Sequence, residues 1–193
     1  MEIILYLICI ILFFQITIIV FKINKLKNIE YKKPEILSDK KILTVYYSNS
    51  GNTKNVAENL HSIVGGDLKE IQLIKKYPNH ILKMTQIVRK QIKNRDLPKI
   101  KDIDTSYYDV IFVASPIWNF SISLPLKSFL KNTNFKSKIV IPLFTYSGGA
   151  CKNKIFKEFK CLTNAKETKK PLSLFENGII LTKQQIINWL NNL

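Results

Sequence analysis

Cysteine and histidine are scarce in this chain of 193 residues. Its three cysteines, Cys9, Cys151 and Cys161, are too few and too irregularly spaced for a disulfide framework or a cysteine-rich metal site. Its two histidines, His61 and His80, fall in segments where we expect a surface or structural role. The chain also lacks internal repeats and low-complexity tracts. These shortages argue against a disulfide-stapled domain, a metal module and histidine-based catalysis.

Acidic residues are few as well, with 14 Asp and Glu against 30 Lys and Arg and a formal net charge of +16. The basic residues are densest from Lys75 to Lys101, a segment with nine cations and one acidic residue. A solvated, lysine-rich surface accounts for such a composition. Contact with anionic lipid headgroups is the alternative, in which each nearby cation contributes roughly 1 kcal/mol. Because no nucleic-acid reading motif accompanies the charge, we expect no nucleic-acid partner.

Charge is absent from Ile3 to Phe21, a run of 19 residues. A helix of that length spans about 28 Å, close to the thickness of a bilayer's hydrocarbon core. The acidic Glu2 and the lack of an Ala-x-Ala site argue against a cleaved signal peptide. Lysines lie after the run from Lys22 to Lys33, so the positive-inside rule places the bulk of the protein in the cytoplasm. The sequence therefore predicts a single-pass protein of the cell membrane, with a transmembrane anchor at 1–22, a linker at 23–40 and a cytoplasmic domain at 41–193.

The turn from Ser48 to Thr53, with the sequence Ser-Asn-Ser-Gly-Asn-Thr, is the most informative motif. It joins an apolar strand-like run, Ile42 to Tyr47, to a segment with helical periodicity. Hydroxyls and backbone N–H groups at a helix N-terminus suit a phosphate. The motif is no P-loop, because the first glycine is missing and Lys54 follows a threonine. Since ordinary N-caps have the same composition, the turn alone leaves phosphate binding open.

Strands and helices alternate through the rest of the domain, which predicts an α/β fold with a parallel sheet. Continuous apolar runs at 108–115 and 138–145 predict strands buried on both faces. Further strands are predicted at 67–74, 172–175 and 178–181, and helices at 81–93, 124–130, 153–161 and the C-terminus. Three informative segments then lie after buried strands, at 48–53, 115–121 (with 116–121 a loop) and 145–149. In open α/β sheets ligands bind at that carboxyl edge.

The same three segments resemble the flavodoxin-like family of FMN proteins. The resemblance is carried by Ser-Asn-Ser-Gly-Asn-Thr, by Ser115-Pro-Ile-Trp118 and by Thr145-Tyr-Ser-Gly-Gly149, and it extends over 41–193. It implies a doubly wound sheet of five parallel strands in the order 2-1-3-4-5, here preceded by one transmembrane helix.

The resemblance also implies where FMN binds. The first segment would hold the phosphate, residues 116–120 would lie along the isoalloxazine with Trp118 against the ring, and residues 145–149 would cover the other side. The implied cofactor-binding residues are Ser48, Asn49, Ser50, Gly51, Asn52, Thr53, Pro116, Ile117, Trp118, Asn119, Phe120, Thr145, Tyr146, Ser147, Gly148 and Gly149.

Two departures from the family pattern bear on function. Related proteins often read Pro-Ile-Trp-Trp-Gly, whereas Asn119 and Phe120 occupy the last two positions here. Soluble flavodoxins are typically acidic, so this basic domain implies a redox partner that is acidic or membrane-associated.

No histidine, cysteine or carboxylate in the three segments resembles an acid–base or nucleophilic catalyst. The leading interpretation is therefore a membrane-anchored FMN protein that transfers electrons, in which the cofactor carries the chemistry. An NAD(P)H-dependent quinone or flavin reductase on the same fold remains open, as does a membrane-tethered interaction module without flavin.

Overall fold

The structure is a computed structural model, and it describes residues 2–27, 30–78, 80–148, 152–175 and 182–193. Strands and helices alternate along the chain after an N-terminal helix. The helices are α1 (Glu2–Lys27), α2 (Asn52–Val64), α3 (Ile81–Asn94), α4 (Leu124–Asn132), α5 (Lys152–Thr163) and α6 (Thr182–Leu190). The strands are β1 (Ile42–Tyr46), β2 (Asp67–Glu70), β3 (Val110–Trp118), β4 (Ser121–Ile122), β5 (Ile139–Tyr146), β6 (Glu167–Thr168) and β7 (Leu172–Phe175).

The sheet has the strand order β2-β1-β3-β5-β6, and all of these neighbours are parallel. β7 also pairs with β5 in parallel, so β6 and β7 together occupy the fifth position. The predicted order 2-1-3-4-5 is confirmed, with its last strand divided. β4 adds a short antiparallel pairing at the end of β3.

Helices cover both faces of the sheet, as the continuous apolar strands predict. On one face, alternate residues of β1 and β3 such as Val45 and Val113 pack against α3, α4 and α5. On the other face, Phe112 packs with residues of α2 and α6 such as Leu60 and Ile186. Each fully buried side chain of this size contributes roughly 1.5–3 kcal/mol to the free energy of unfolding.

The segment before β1 packs on the α2–α6 face. Asn191, just beyond α6, donates a hydrogen bond of 2.8 Å to the Glu30 carbonyl and accepts one of 2.9 Å from the Lys32 backbone N–H. Leu37 is fully buried in the core on that face, and α1 contacts α6. Residues 30–37 are thus fastened to the domain.

The N-terminal helix α1 runs five residues into the predicted linker and ends at Lys27. Its described side chains are those of residues 4, 6–18 and 20, and the large apolar ones among them are exposed. Among the residues that the structure describes, no helix combines the length and apolar character needed to cross a membrane. The prediction of a transmembrane helix is therefore not supported.

Two sequence predictions of local structure were wrong. Residues 116–121 are not a loop, because β3 continues to Trp118 and turns directly into β4. The second strand ends at Glu70 rather than at residue 74, after which Leu73 forms an isolated antiparallel bridge with Ile100. The strand predicted at 178–181 lies outside the described residues.

Candidate cofactor-binding site

The turn after β1 presents a helix N-terminus at the carboxyl edge of the sheet. Gly51 is the N-cap of α2 and has a φ of 94°, a conformation that side-chain-bearing residues rarely adopt. The Ser48 hydroxyl accepts a hydrogen bond of 3.1 Å from the Gly51 backbone N–H and holds the turn. No side chain caps α2, so the first backbone N–H groups of the helix point out of the turn. Partial positive charge therefore faces the space above β1.

The end of β5 is tied directly to this turn. The hydroxyls of Thr53 and Thr145 lie 2.8 Å apart in a buried hydrogen bond, and both side chains are almost fully buried. The first and third predicted segments are therefore joined through their side chains, although 92 residues separate them in sequence.

The second segment is a β-hairpin. Trp118 of β3 pairs with Ser121 of β4, and the two residues between them, Asn119 and Phe120, have φ values of 47° and 58°. Positive φ at both central residues is what a tight type I′ turn requires, and glycine usually supplies the second. Asn119 tolerates this conformation, whereas Phe120 is sterically disfavoured in it.

Side chains from α4 and α5 hold the hairpin in place. The Glu158 carboxylate accepts hydrogen bonds from the Ser121 hydroxyl at 2.9 and 3.0 Å and from the Ile122 backbone N–H at 3.3 Å, and it pairs with the Lys127 ammonium at 2.6 Å. Burial favours the neutral acid, but the hydrogen bonds from Lys127 and Ser121 outweigh it and lower the pKa of Glu158. The carboxylate is therefore charged at neutral pH and anchors β4.

Replacing Glu158 with glutamine is expected to lower the free energy of unfolding by about 1–2 kcal/mol at pH 7, because the partly buried Lys127 loses its ion pair. Since the folded-state pKa of Glu158 is lowered, its contribution is complete above the pKa of the unfolded chain. It disappears as the pH falls through the folded-state value. Urea unfolding at pH 7 and pH 3 measures the difference.

The matched control is Glu167→Gln. The Glu167 carboxylate makes an ion pair with Lys169 at 2.7 Å that is more exposed than the pair between Glu158 and Lys127. That change should cost less than about 0.5 kcal/mol. A Glu158→Gln effect that is equally large at both pH values would contradict the assignment of the anchoring to the charged carboxylate.

Two tyrosines hold the Trp118 indole edge-on. The Tyr47 ring lies 5.6 Å from the indole at 87°, and the Tyr77 ring lies 5.8 Å from it at 73°. The Tyr77 hydroxyl donates a hydrogen bond of 2.7 Å to the Gln91 side chain on α3. Burial raises the pKa of Tyr77 to about 12 and also raises the pKa of Tyr47. Both rings are therefore neutral and fix the indole plane by edge-to-face contacts.

A cavity of about 270 Å³ opens between these elements. It brings together eight of the sixteen residues that the resemblance implies, from all three segments. They are Asn49, Ser50, Thr53, Pro116, Ile117, Trp118, Asn119 and Ser147.

The other eight implied residues are not among the described lining residues of the cavity. Ser48, Gly51 and Asn52 shape the first turn and the start of α2, and Thr145 holds Thr53. Tyr146 belongs to β5, and its ring lies 5.6 Å from that of Phe175. The side chain of Phe120 is 62% exposed. Gly148 follows Ser147 and is described, whereas Gly149 lies outside the described residues.

Helix α3 forms a wall of the cavity that the sequence analysis did not assign to the site. Its contribution comes from Ile81, Met84, Thr85 and Val88. Their spacing of three and four residues places them on one helical stripe. This spacing is the feature of the sequence from which the wall could have been predicted.

The cavity is lined by hydroxyl, amide and apolar side chains. Its described lining residues include no histidine, cysteine, carboxylate or lysine. In the described parts of the chain, no cluster of three or more His, Cys, Asp and Glu residues could hold a metal ion. Hydroxyl and amide groups beside an apolar wall are suited to holding an organic group.

Comparison with solved structures identifies similar folds. A flavoprotein of Lactobacillus acidophilus NCFM in complex with FMN is 27% identical, with a TM-score of 0.59 over 72% of this chain and 94% of that one. A protein of Bacteroides eggerthii assigned as a flavoprotein is 29% identical, with a TM-score of 0.61 over 80% of this chain and 98% of that one. An NADH:FMN oxidoreductase in its apo form is 17% identical, with a TM-score of 0.53 over 79% of this chain and 87% of that one, which shows likeness of fold alone.

No curated protein sequence matches the chain. The flavodoxin family model matches residues 41–193, which include the whole sheet and all three segments of the cavity. The chain therefore belongs to the flavodoxin family.

Proposed function

We propose that this chain is an FMN-binding protein that carries electrons between a donor and an acceptor. The observation that carries the proposal is the meeting of three strand ends around one cavity, whose described lining residues include no titratable side chain. The likeness to an FMN complex at 27% identity supports the choice of FMN as the cofactor. FMN supplies reversible uptake and release of electrons when it is bound.

The residues at the cavity fit both ends of FMN. A phosphate suits the N-terminus of α2, where the backbone N–H groups lack a side-chain cap and the hydroxyls of Ser50 and Thr53 are close by. A flat aromatic ring suits the apolar wall of Trp118, Ile117 and Met84. The cavity volume of about 270 Å³ lies just below the range of about 300–1,000 Å³ usual for ligand sites, so part of the cofactor would remain at the open mouth.

The side chains of the site bind and orient the cofactor. Trp118 is immobilised by two neutral tyrosines, and Thr53 is fixed by Thr145. Because no described lining residue titrates near neutral pH, protons that accompany reduction of a bound FMN would be exchanged with water at the mouth. The protein would thus affect electron transfer through the position in which it holds the cofactor and the polarity of the surroundings it provides.

A reductase that uses NAD(P)H is the second candidate, and one observation favours it. A second cavity of about 580 Å³ adjoins the first and shares Asn49 with it. Lys76 and Lys101 line this second cavity together with Glu70. The charged side chains of its lining therefore sum to a positive charge, which suits the phosphates of a dinucleotide. The bleaching experiment with dithionite and NADPH given below distinguishes the carrier from the reductase.

We also propose that the N-terminal segment attaches the domain to the cytoplasmic side of a membrane. The support is the uncharged run from Ile3 to Phe21, the lysines just after it, and the exposure of apolar side chains along α1 such as Phe13 and Phe14, at 70% and 65%. An exposed apolar surface of this length requires a covering phase or partner in water.

The full chain should therefore be recovered with the membrane fraction. After purification in a neutral detergent and addition of FMN, it should show the absorption spectrum of a bound flavin. Dithionite should bleach that spectrum at once, whereas one equivalent of NADPH should leave it unchanged for many minutes. Rapid bleaching by NADPH would replace the carrier by the reductase. A protein that stays colourless in excess FMN would contradict both redox functions, and recovery in the membrane-free supernatant would contradict the attachment.

A further inference from the structure

A third cavity, of about 570 Å³, adjoins the C-terminal half of helix α3. The helix contributes Ile87, Lys90, Gln91 and Asn94 to it, and their spacing of three, four and seven residues places them on one helical stripe. The third cavity shares none of its described lining residues with the candidate cofactor site. Its volume lies within the range of about 300–1,000 Å³ that is usual for small-molecule sites.

Hydrogen bonds hold the walls of this cavity in place. A second wall comes from two chain segments that pair through their backbones, where the Ile74 N–H donates a hydrogen bond of 3.0 Å to the Lys99 carbonyl. The Tyr77 hydroxyl, which donates to the Gln91 side chain at 2.7 Å, connects two further lining residues. The cavity is therefore framed by paired backbone and by a side-chain hydrogen bond across to α3.

Apolar side chains in the third cavity are open to solvent. Ile74 is 62% exposed and Ile87 is 41% exposed, although both lie in a concave part of the surface. The half-buried Leu97 and Pro98 and the buried Tyr77 belong to the same lining. Burial of an apolar group against these side chains would remove its surface and theirs from water, which is favourable.

The same cavity carries a net positive charge. Lys75, Lys76, Lys90 and Lys99 line it, against the single carboxylate of Asp96 among its described residues. In the described parts of the chain, none of these four lysines pairs with a carboxylate. Their ammonium groups are therefore available to an external anion.

We propose that the third cavity binds a small amphiphilic anion, with an aliphatic chain against Ile74 and Ile87 and a carboxylate at the lysines. The chain would cover the exposed isoleucines, and the carboxylate would supply the counter-charge that the lysines lack. An inorganic anion would use only the lysines, and a neutral apolar molecule only the isoleucines. The inference goes beyond the proposed FMN function and does not depend on it.

Octanoate is the probe, because it joins a short apolar chain to one carboxylate. The full-length chain in a neutral detergent, isotope-labelled at its isoleucine methyl groups, gives NMR signals that single Ile→Val changes assign. Octanoate should shift the signals of Ile74 and Ile87 until they saturate. It should leave in place those of Ile81 and Ile117, which line the cofactor cavity. Acetate, which lacks the chain, and octanol, which lacks the charge, should each bind at least about tenfold more weakly.

Charge changes test the role of the lysines. The double change Lys90→Glu and Lys99→Glu should weaken octanoate binding at least about tenfold, because two attractive charges become repulsive. The matched control is Lys83→Glu with Lys93→Glu, since both lysines are exposed on α3 and neither is a described lining residue. This control should change the affinity by less than about threefold. Asp96→Asn removes the negative charge of the lining and should strengthen binding by about twofold to fivefold.

Partition of octanoate into the detergent is the same in every sample, so it cancels when the variants are compared. Shifts confined to the isoleucines of α1 would place octanoate on that exposed apolar helix and overturn the proposal. Equal affinities for octanoate and octanol, or equal losses from the two double changes, would overturn it as well. Added FMN should shift the Ile117 signal, so a failure of the FMN site is recorded separately from a failure of the third cavity.

Discussion

Replacing Ser50 with aspartate is expected to weaken FMN binding by at least about thirtyfold while riboflavin binding stays within about twofold. Ser50 lines the cavity beside the uncapped N-terminus of α2. A carboxylate there competes with the phosphate for the helix N–H groups and repels it. Two unit charges about 5 Å apart at an effective dielectric constant of about 20 interact by about 3 kcal/mol, and each 1.4 kcal/mol corresponds to about tenfold in affinity. Riboflavin lacks the phosphate and does not experience this repulsion.

The control for this change is Ser50→Asn, which alters the side chain without adding charge and should cost FMN less than about fivefold. Folding provides a second check, because Ser50 is exposed and a negative charge near a helix N-terminus stabilises the helix. The aspartate variant should therefore unfold at the same urea concentration as the parent or at a higher one. Equal losses for FMN and riboflavin would mean that the phosphate does not lie at this turn.

Replacing Trp118 with alanine is expected to weaken FMN and riboflavin alike, by about tenfold to one hundredfold. Stacking of an aromatic side chain on a flat heteroaromatic ring contributes roughly 1–3 kcal/mol. The indole here is already immobilised by Tyr47 and Tyr77, so it loses little conformational entropy when a ligand binds. The loss should therefore approach the upper part of that range. Fluorescence titration of each flavin measures it.

Trp118→Phe should recover most of the affinity, because a ring remains at the wall of the cavity. Trp189 provides a distant control, since its indole lies 6.1 Å from the Phe112 ring and donates a hydrogen bond to the Lys170 carbonyl. Trp189→Phe should leave flavin binding unchanged. A Trp118→Ala variant that binds riboflavin normally would show that the ring system of the cofactor does not contact this indole.

The strand order and the edge that carries the site could be predicted from sequence for physical reasons. Strands buried on both faces, such as β3 and β5, must be continuously apolar and therefore stand out in the sequence. Parallel strands end at the same edge, so the turns after β1, β3 and β5 had to converge. The hydroxyl-rich turn from Ser48 to Thr53 adds a local signature of its own.

The parts that were not predicted depend on contacts between residues distant in sequence. The sequence predicts a loop at 116–121, but these residues belong to a hairpin that is held by Glu158, 37 residues beyond Ser121. The bond between Thr53 and Thr145 spans 92 residues. Neither partner carries a local pattern that identifies the other.

The wall formed by α3 was missed for a related reason. Only Met84 and Val88 of this helix are buried, so its apolar stripe is narrow. The role of α3 depends on where the helix lies against the β3–β4 hairpin, which composition does not indicate. Phe120 shows the reverse case, because the family pattern has glycine at this position and therefore indicates a backbone conformation that suits glycine, in agreement with the φ of 58°.

The most direct test of the account compares the affinities of FMN and riboflavin for the unaltered full-length chain. The account predicts that FMN binds at least about one hundredfold more tightly, because only FMN carries a phosphate for the α2 N-terminus. Both flavins should quench Trp118 fluorescence as they bind. Equal affinities, or the absence of flavin binding, would contradict an FMN site at this edge of the sheet.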